Sequence, residues 1–244
     1  MPLPKISAPI FDLKLPLSKK LIKYRPFLVK EEKILLIAQE SNDEKTIINA
    51  IKQIVQNCVL DKLDINKLPV TDLEFLFLNL RARSIGELID LQYKCNNDVI
   101  DENGESKKCN NIMPIQINIL DVTAKVPSNH DNKIDLGNDI GIVMTYPNFN
   151  TIENINMESK IDSIMGIVSD CVDYIYDKDQ IYYKKDISKK ELDEFIESLS
   201  KDQFNKIQTF FETAPKLKHE INFECNKCGY KSEITLEGLQ SFFG

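Results

Sequence analysis

The sequence predicts an α+β protein: a mostly helical body with a subdomain of β-hairpins drawn from the middle and the C-terminus of the chain. Three observations predict it. Apolar residues at helical spacing, introduced by capping signals, fill residues 29–87 and 151–214. Alternating, strand-like runs fill 88–150 and 215–244. Each strand-rich stretch carries a cysteine pair, Cys95 with Cys109 and Cys225 with Cys228. With a proline-punctuated arm over residues 1–28, the chain reads as five regions, and 215–244 is expected to pack on 88–150.

The arm contains Pro2, Pro4, Pro9, Pro16 and Pro26, which fix φ and remove backbone donors, so it should run extended rather than helical. Ile6, Ile10, Phe11, Leu13, Leu15 and Leu17 alternate with polar or proline positions, as expected of an arm lying against a surface, its own or a partner's. Lys19, Lys20, Lys23 and Arg25 form a basic cluster that reads as a solvated face. A helix is expected over about Lys30 to Glu40. Ser41-Asn42-Asp43-Glu44 then has the form of a capping box ahead of Ile47, Ile48, Ile51, Ile54 and Val55. Thr71-Asp72-Leu73-Glu74 repeats the signature for a helix carrying Leu73, Leu76, Phe77 and Leu80 and ending near Ser84 to Gly86.

From Leu88 to Tyr146 the pattern changes to strands, with an exposed turn at Asp101 to Lys108 around Asn103-Gly104. Ile134–Leu136 and Ile140–Met144 form a hairpin through Gly137-Asn138-Asp139. A long amphipathic helix should begin near Glu153 and carry Ile161, Ile164, Met165, Val168, Val172 and Ile175 on one face, with Cys171 at its edge. Tyr174, Tyr176, Tyr182 and Tyr183 flank a short hairpin turn at Asp177-Lys178-Asp179. Two further capping boxes, Ser188 to Glu191 and Ser200 to Gln203, launch helices, and Pro215 stops the second.

The cysteine spacing points to chemistry. Two thiolates separated by two residues can grip one ion from a tight turn, and Gly229 after Cys228 suits the positive φ such a turn needs. Both pairs sit between strand-like runs, so two hairpins with ligands at their tips make a zinc-ribbon-like arrangement in which Cys95, Cys109, Cys225 and Cys228 share one structural zinc. A disulfide or ordinary buried thiols are the competing readings. His219 is a weaker alternative ligand. The remaining cysteines, Cys58 and Cys171, lie within helical patterns and read as packing residues.

Composition excludes several classes. The formal net charge of -7 disfavours a protein that neutralises phosphates. No run is apolar and long enough to span a bilayer, and Met1 to Ile6 lacks the apolar core of a secretion signal, so a cytoplasmic site of folding is expected. No phosphate-binding loop, dinucleotide fingerprint, nucleophile elbow or metalloprotease helix is present, so no catalytic residue is assigned. His130 lies in the polar stretch Ser128 to Asn132, most simply a loop. A four-thiolate site leaves no open position for water or substrate, which argues for architecture over chemistry.

The order of several features then resembles one family. The opening Pro2-Leu3-Pro4-Lys5-Ile6, the run Leu80-Arg81-Ala82-Arg83-Ser84-Ile85-Gly86-Glu87 leading into Tyr93-Lys94-Cys95, the segment Pro215 to Cys228, and the closing Leu236 to Phe243 together look like the baseplate hub proteins of T-even-like tailed bacteriophages. The resemblance implies a non-catalytic hub subunit or hub assembly factor that docks other hub proteins in the bacterial cytoplasm or within the virion tail. It implies no nucleic acid, membrane or small-molecule substrate. On that reading Ile6, Ile10, Phe11, Phe242 and Phe243 are the expected partner contacts. A zinc-ribbon regulator or nucleic-acid-binding protein is the alternative, and a hydrolytic enzyme stands third.

Overall fold

The structure, a computed structural model, describes residues 7–41, 43–100, 104–153, 160–238 and 241. They divide into two units, those within 7–63, 73–125 and 216–241 in the first and those within 64–72 and 126–215 in the second. The first unit begins with strands β1 (Phe11–Lys14) and β2 (Leu21–Tyr24), paired antiparallel from Phe11↔Tyr24 to Lys14↔Leu21. The expected arm therefore contains a hairpin, closed by Leu15 N–H donating to the Lys20 carbonyl at 2.9 Å. Leu15, Ile22 and Tyr24 are buried.

Helices α1 (Val29–Glu40) and α2 (Glu44–Cys58) follow. In α2 the buried residues Ala50, Ile51, Ile54, Val55 and Cys58 fall at helical spacing, so one face meets the core. The cap differs from expectation. Ser41 closes α1, its hydroxyl donating to the Ala38 carbonyl at 2.6 Å. Asp43 is the N-cap of α2, accepting from Thr46 N–H at 2.9 Å. Helix α3 (Val70–Ser84) likewise starts before its expected cap. Val70 N–H donates to the Pro147 carbonyl at 3.0 Å, and Thr71 Oγ1 donates to the Pro215 carbonyl at 2.9 Å instead of capping. The basic cluster is not uniformly solvated either: Arg25 grips buried Glu31, and Lys23 pairs with Asp12 at 2.8 Å.

Strand β3 (Leu88–Lys94) enters a small hairpin, β4 (Asp98–Ile100) with β5 (Ser106–Lys108). The chain then returns along β6 (Ile112–Asn118), which pairs with β3 from Lys94↔Ile112 to Leu88↔Asn118. A short strand β7 (Thr123–Ala124) ends this part of the unit.

In the second unit, β8 (Lys133–Gly137) and β9 (Ile140–Met144) form a hairpin. Asn138 and Asp139 both have positive φ, 55° and 62°, the geometry a tight two-residue turn requires. Helices α4 (Phe149–Glu153) and α5 (Lys160–Cys171) precede β10 (Val172–Tyr176) and β11 (Ile181–Tyr183). The long helix expected to include Val172 and Ile175 thus stops at Cys171. Its last carbonyl accepts from Thr145 N–H at 2.6 Å, and Val-Asp-Tyr-Ile-Tyr continues as a strand beside β9. Residues 172–176 satisfy both periods, and sheet pairing decides between them. Ile164 is 48 % exposed, and Cys171 is buried in the core.

The sheet order is β11-β10-β9-β8. Helices α6 (Lys189–Glu197) and α7 (Lys201–Glu212) contribute Leu192, Ile196, Ile207 and Phe210 to a core with Ile134, Leu136, Ile142, Met144, Val168, Val172 and Ile175. Both helices begin at the expected serines, each with a reciprocal capping box.

The chain then returns to the first unit as β12 (Leu217–Glu224) and β13 (Lys231–Glu237), in a sheet ordered β13-β12-β7. Leu217, Ile221 and Leu236 join Leu78, Ala82, Ile89, Ile117, Ile119 and Val122 in one cluster. This packing carries residues of the C-terminal hairpin onto α3 and the β3–β6 pair. Among the described residues no helix is long and apolar enough to cross a membrane.

Candidate metal centre

Cys95, Cys109 and Cys225 each directly follow a strand, and Cys228 lies within the turn after Cys225. Cys95 follows β3, and its N–H donates to the Asn111 carbonyl at 2.8 Å. Cys109 follows β5, its N–H donating to the Asn97 carbonyl at 2.8 Å, while Asn110 N–H returns to the Cys95 carbonyl at 3.0 Å. Asn110 has a φ of 52°, a left-handed conformation that asparagine tolerates. The second turn follows β12. Cys225 N–H donates to the Tyr230 carbonyl and Gly229 N–H to the Cys225 carbonyl, both at 2.8 Å. Gly229 has the positive φ, 69°, that the spacing led one to expect.

Packing of the two hairpins brings these turns together. Tyr93 and Phe223, each two residues before its cysteine, pack against each other with ring centroids 4.5 Å apart and planes tilted by 58°. Met113 and Val99 complete an apolar collar. Inside it the four sulfurs of Cys95, Cys109, Cys225 and Cys228 all lie within 4.8 Å of one another. Cys95, Cys109 and Cys225 are buried and Cys228 is partly so.

The sulfur separations test what the cluster can hold. A tetrahedron of thiolates with metal–sulfur bonds of about 2.3 Å has edges of about 3.8 Å. Cys95 Sγ lies 3.8 Å from Cys228 Sγ, and Cys109 Sγ lies 3.8 Å from Cys225 Sγ. Both contacts join one early cysteine to one late cysteine. A disulfide needs about 2.05 Å, so neither pair has disulfide geometry. The four residues could therefore bind one metal ion, with no coordination position left open.

Hydrogen bonding prepares one sulfur, that of Cys225, for charge. Burial pushes the Cys225 thiol up, but the backbone N–H groups of Cys228 and Lys227 and bonds to the Cys228 and Cys95 thiols outweigh it and hold it at about 6. At Cys95 a backbone N–H from Asn97 lowers the thiol, yet burial and the neighbouring Cys225, Cys228 and Cys109 groups push it up to about 12. Four crowded thiols cannot all ionise without a cation, so the first thiolate raises the cost of the next.

The remaining expected site residues scatter. Ile10 is 61 % exposed, whereas Phe11 is half-buried beneath the Arg83 guanidinium, 5.1 Å from its ring centre, and 5.8 Å from the Tyr24 ring. Ile6, Phe242 and Phe243 lie outside the described residues. His219 is a β12 residue paired opposite Leu236 and is not among the clustered ligands. His130 lies in the expected loop, half-buried, its ring stacked on Tyr146 and Phe210 and bonded to Thr213 and Tyr146. Two polar residues beside the centre, Asn97 and Asn111, were not singled out by spacing. Their signal is a repeat, Cys95-Asn96-Asn97 and Cys109-Asn110-Asn111.

The chain thus forms two units of mixed helix and strand, one of which carries a four-cysteine cluster that could hold a metal ion. The chain belongs to the T4 bacteriophage base plate protein family, which matches it over residues 8–244. No curated protein and no solved structure matches it.

Proposed function

We propose that this chain is a baseplate hub subunit or hub assembly factor that acts without catalysis by docking other hub proteins during tail assembly. The observation that carries the reading is the family match over residues 8–244. The cluster supports it from the physical side, because a closed thiolate site can brace a docking body and offers no place for substrate. The bound ion is zinc, whose preference for four tetrahedral thiolates fits the 3.8 Å sulfur edges. Ile10, with the adjoining Phe11, and Ile6, Phe242 and Phe243 are the proposed partner contacts.

Quantitative mass spectrometry of nuclease-treated pull-downs from infected cells, set beside purified particles, tests the role. Capture of hub proteins together with presence in particles identifies a structural subunit; capture with absence from particles identifies an assembly factor. Capture of neither overturns the hub reading. Metal analysis tests the centre: one zinc per chain is expected, lost with a large drop in stability in Cys225→Ser. A metal-free wild-type protein of full stability would sink the zinc assignment.

A further inference from the structure

We propose that Asn97 and Asn111 are positioning residues of the metal centre, side-chain amide donors that clamp the late cysteine pair onto the early one. The proposal rests on the metal reading above and concerns how the two halves are held.

The two asparagines occupy equivalent places, each two residues after an early cysteine. In each Cys-Asn-Asn the first asparagine, Asn96 or Asn110, is exposed, and the second is half-buried against the cluster. Their backbone carbonyls hold the early pair together, Asn97 accepting from Cys109 N–H and Asn111 from Cys95 N–H. Their side chains reach the other pair. Asn97 Nδ2 lies 3.8 Å from Cys228 Sγ, and Asn111 Nδ2 lies 3.6 Å from Cys225 Sγ. Asn111 Nδ2 also donates to Asn226 Oδ1 at 2.6 Å, spending its two hydrogens on the same late turn.

Charge explains why amide donors belong there. Four thiolates on a divalent cation leave two net negative charges in a largely buried site, which N–H groups aimed at sulfur offset. The opposite rotation of either amide would turn a carbonyl oxygen toward a thiolate, acceptor against acceptor, so metal loading itself selects the donor orientation. Each clamp joins residues more than a hundred positions apart, 131 for Asn97 with Cys228 and 114 for Asn111 with Cys225.

The test compares the full-length wild type with Asn97→Leu, Asn111→Leu and the isosteric Asn97→Asp and Asn111→Asp. Zinc affinity is measured by chelator competition, and cobalt(II) is loaded as a spectroscopic probe. Each variant is expected to bind zinc about 10- to 100-fold more weakly, a typical loss when an outer partner of a metal ligand is removed. The sulfur-to-cobalt charge-transfer band should move to lower energy, because lost N–H donors raise the sulfur lone pairs. Metal-free melting should match that of metal-free wild type. Wild-type-like affinity, or weaker binding with an unmoved cobalt band, overturns the clamp while leaving the metal centre intact. A wild type that takes up neither ion removes both readings. If a leucine variant does not fold, the aspartate variant of the same residue decides.

Discussion

At Glu31 a carboxylate with no exposed side-chain surface faces the Arg25 guanidinium, Nη2 to Oε1 at 3.1 Å and Nη1 to Oε2 at 3.3 Å. Leu28 N–H donates to the same group at 2.9 Å. Burial raises this carboxyl, but Arg25 and the Leu28 amide outweigh it and hold it below the usual range. Its folded pKa is therefore depressed, so its stabilisation is present above the unfolded value of about 4.3 and is lost as pH falls through the folded one. Glu31→Ala should cost about 3 kcal/mol by stranding Arg25 in a partly buried place, and denaturant titrations of the variant should show a weaker loss of stability in acid. His130 is also held low, though here the structure favours the neutral form. Thr213 Oγ1 already donates to the Thr209 carbonyl at 2.7 Å, so it accepts from His130 Nδ1–H at 2.9 Å, leaving Nε2 to accept from the Tyr146 hydroxyl at 3.0 Å. Burial holds this imidazole below its ordinary value, with the Asp131 charge opposing. The unfolded state binds its proton first, so stability should fall as pH drops below about 6.5. His130→Phe should flatten that part of the pH profile.

Elements depend on groups at their ends. Ser188 and Ser200 Oγ each accept from a backbone N–H three residues on at 3.3 Å, and Glu191 and Gln203 return the bond at 2.9 Å. Alanine at either serine should cost about 1 kcal/mol in denaturant titration. Asp43→Ala should cost as much, whereas Ser41→Ala should cost less, since Ser41 closes the preceding helix and ahead of it accepts only from the Asp43 N–H, not from an amide within α2. The last two capping boxes were legible because serine was followed at the right spacing by an acceptor and an apolar run. Ser41 and Thr71 present the same string and do not cap. Ser41 is spent on Ala38, and Thr71 on a carbonyl contributed by Pro215, 144 residues away. Local pattern also misassigned Val172 and Ile175, whose partners on β9, Met144 and Ile142, come from an earlier hairpin.

On the scale of the whole molecule, the proposed metal centre predicts that chelation loosens one region selectively. Amides of β3, β6, β12 and β13 should lose hydrogen-exchange protection on chelation, while those of α6 and α7, built around a separate core, should keep theirs. Uniform loss of protection would overturn that division. The sequence by itself determined which stretches turn as helices or strands, where Ser188 and Ser200 begin their helices, and which four cysteines are the candidate ligands. Those follow from periodicity, capping and spacing, which act within a few residues. The tertiary structure alone decided that Cys95 meets Cys228 and Cys109 meets Cys225, that Asn97 and Asn111 face the sulfurs, and that residues 172–176 form a strand. Those outcomes depend on contacts between segments a hundred or more residues apart, or on which neighbour a strand finds, and no local pattern encodes them.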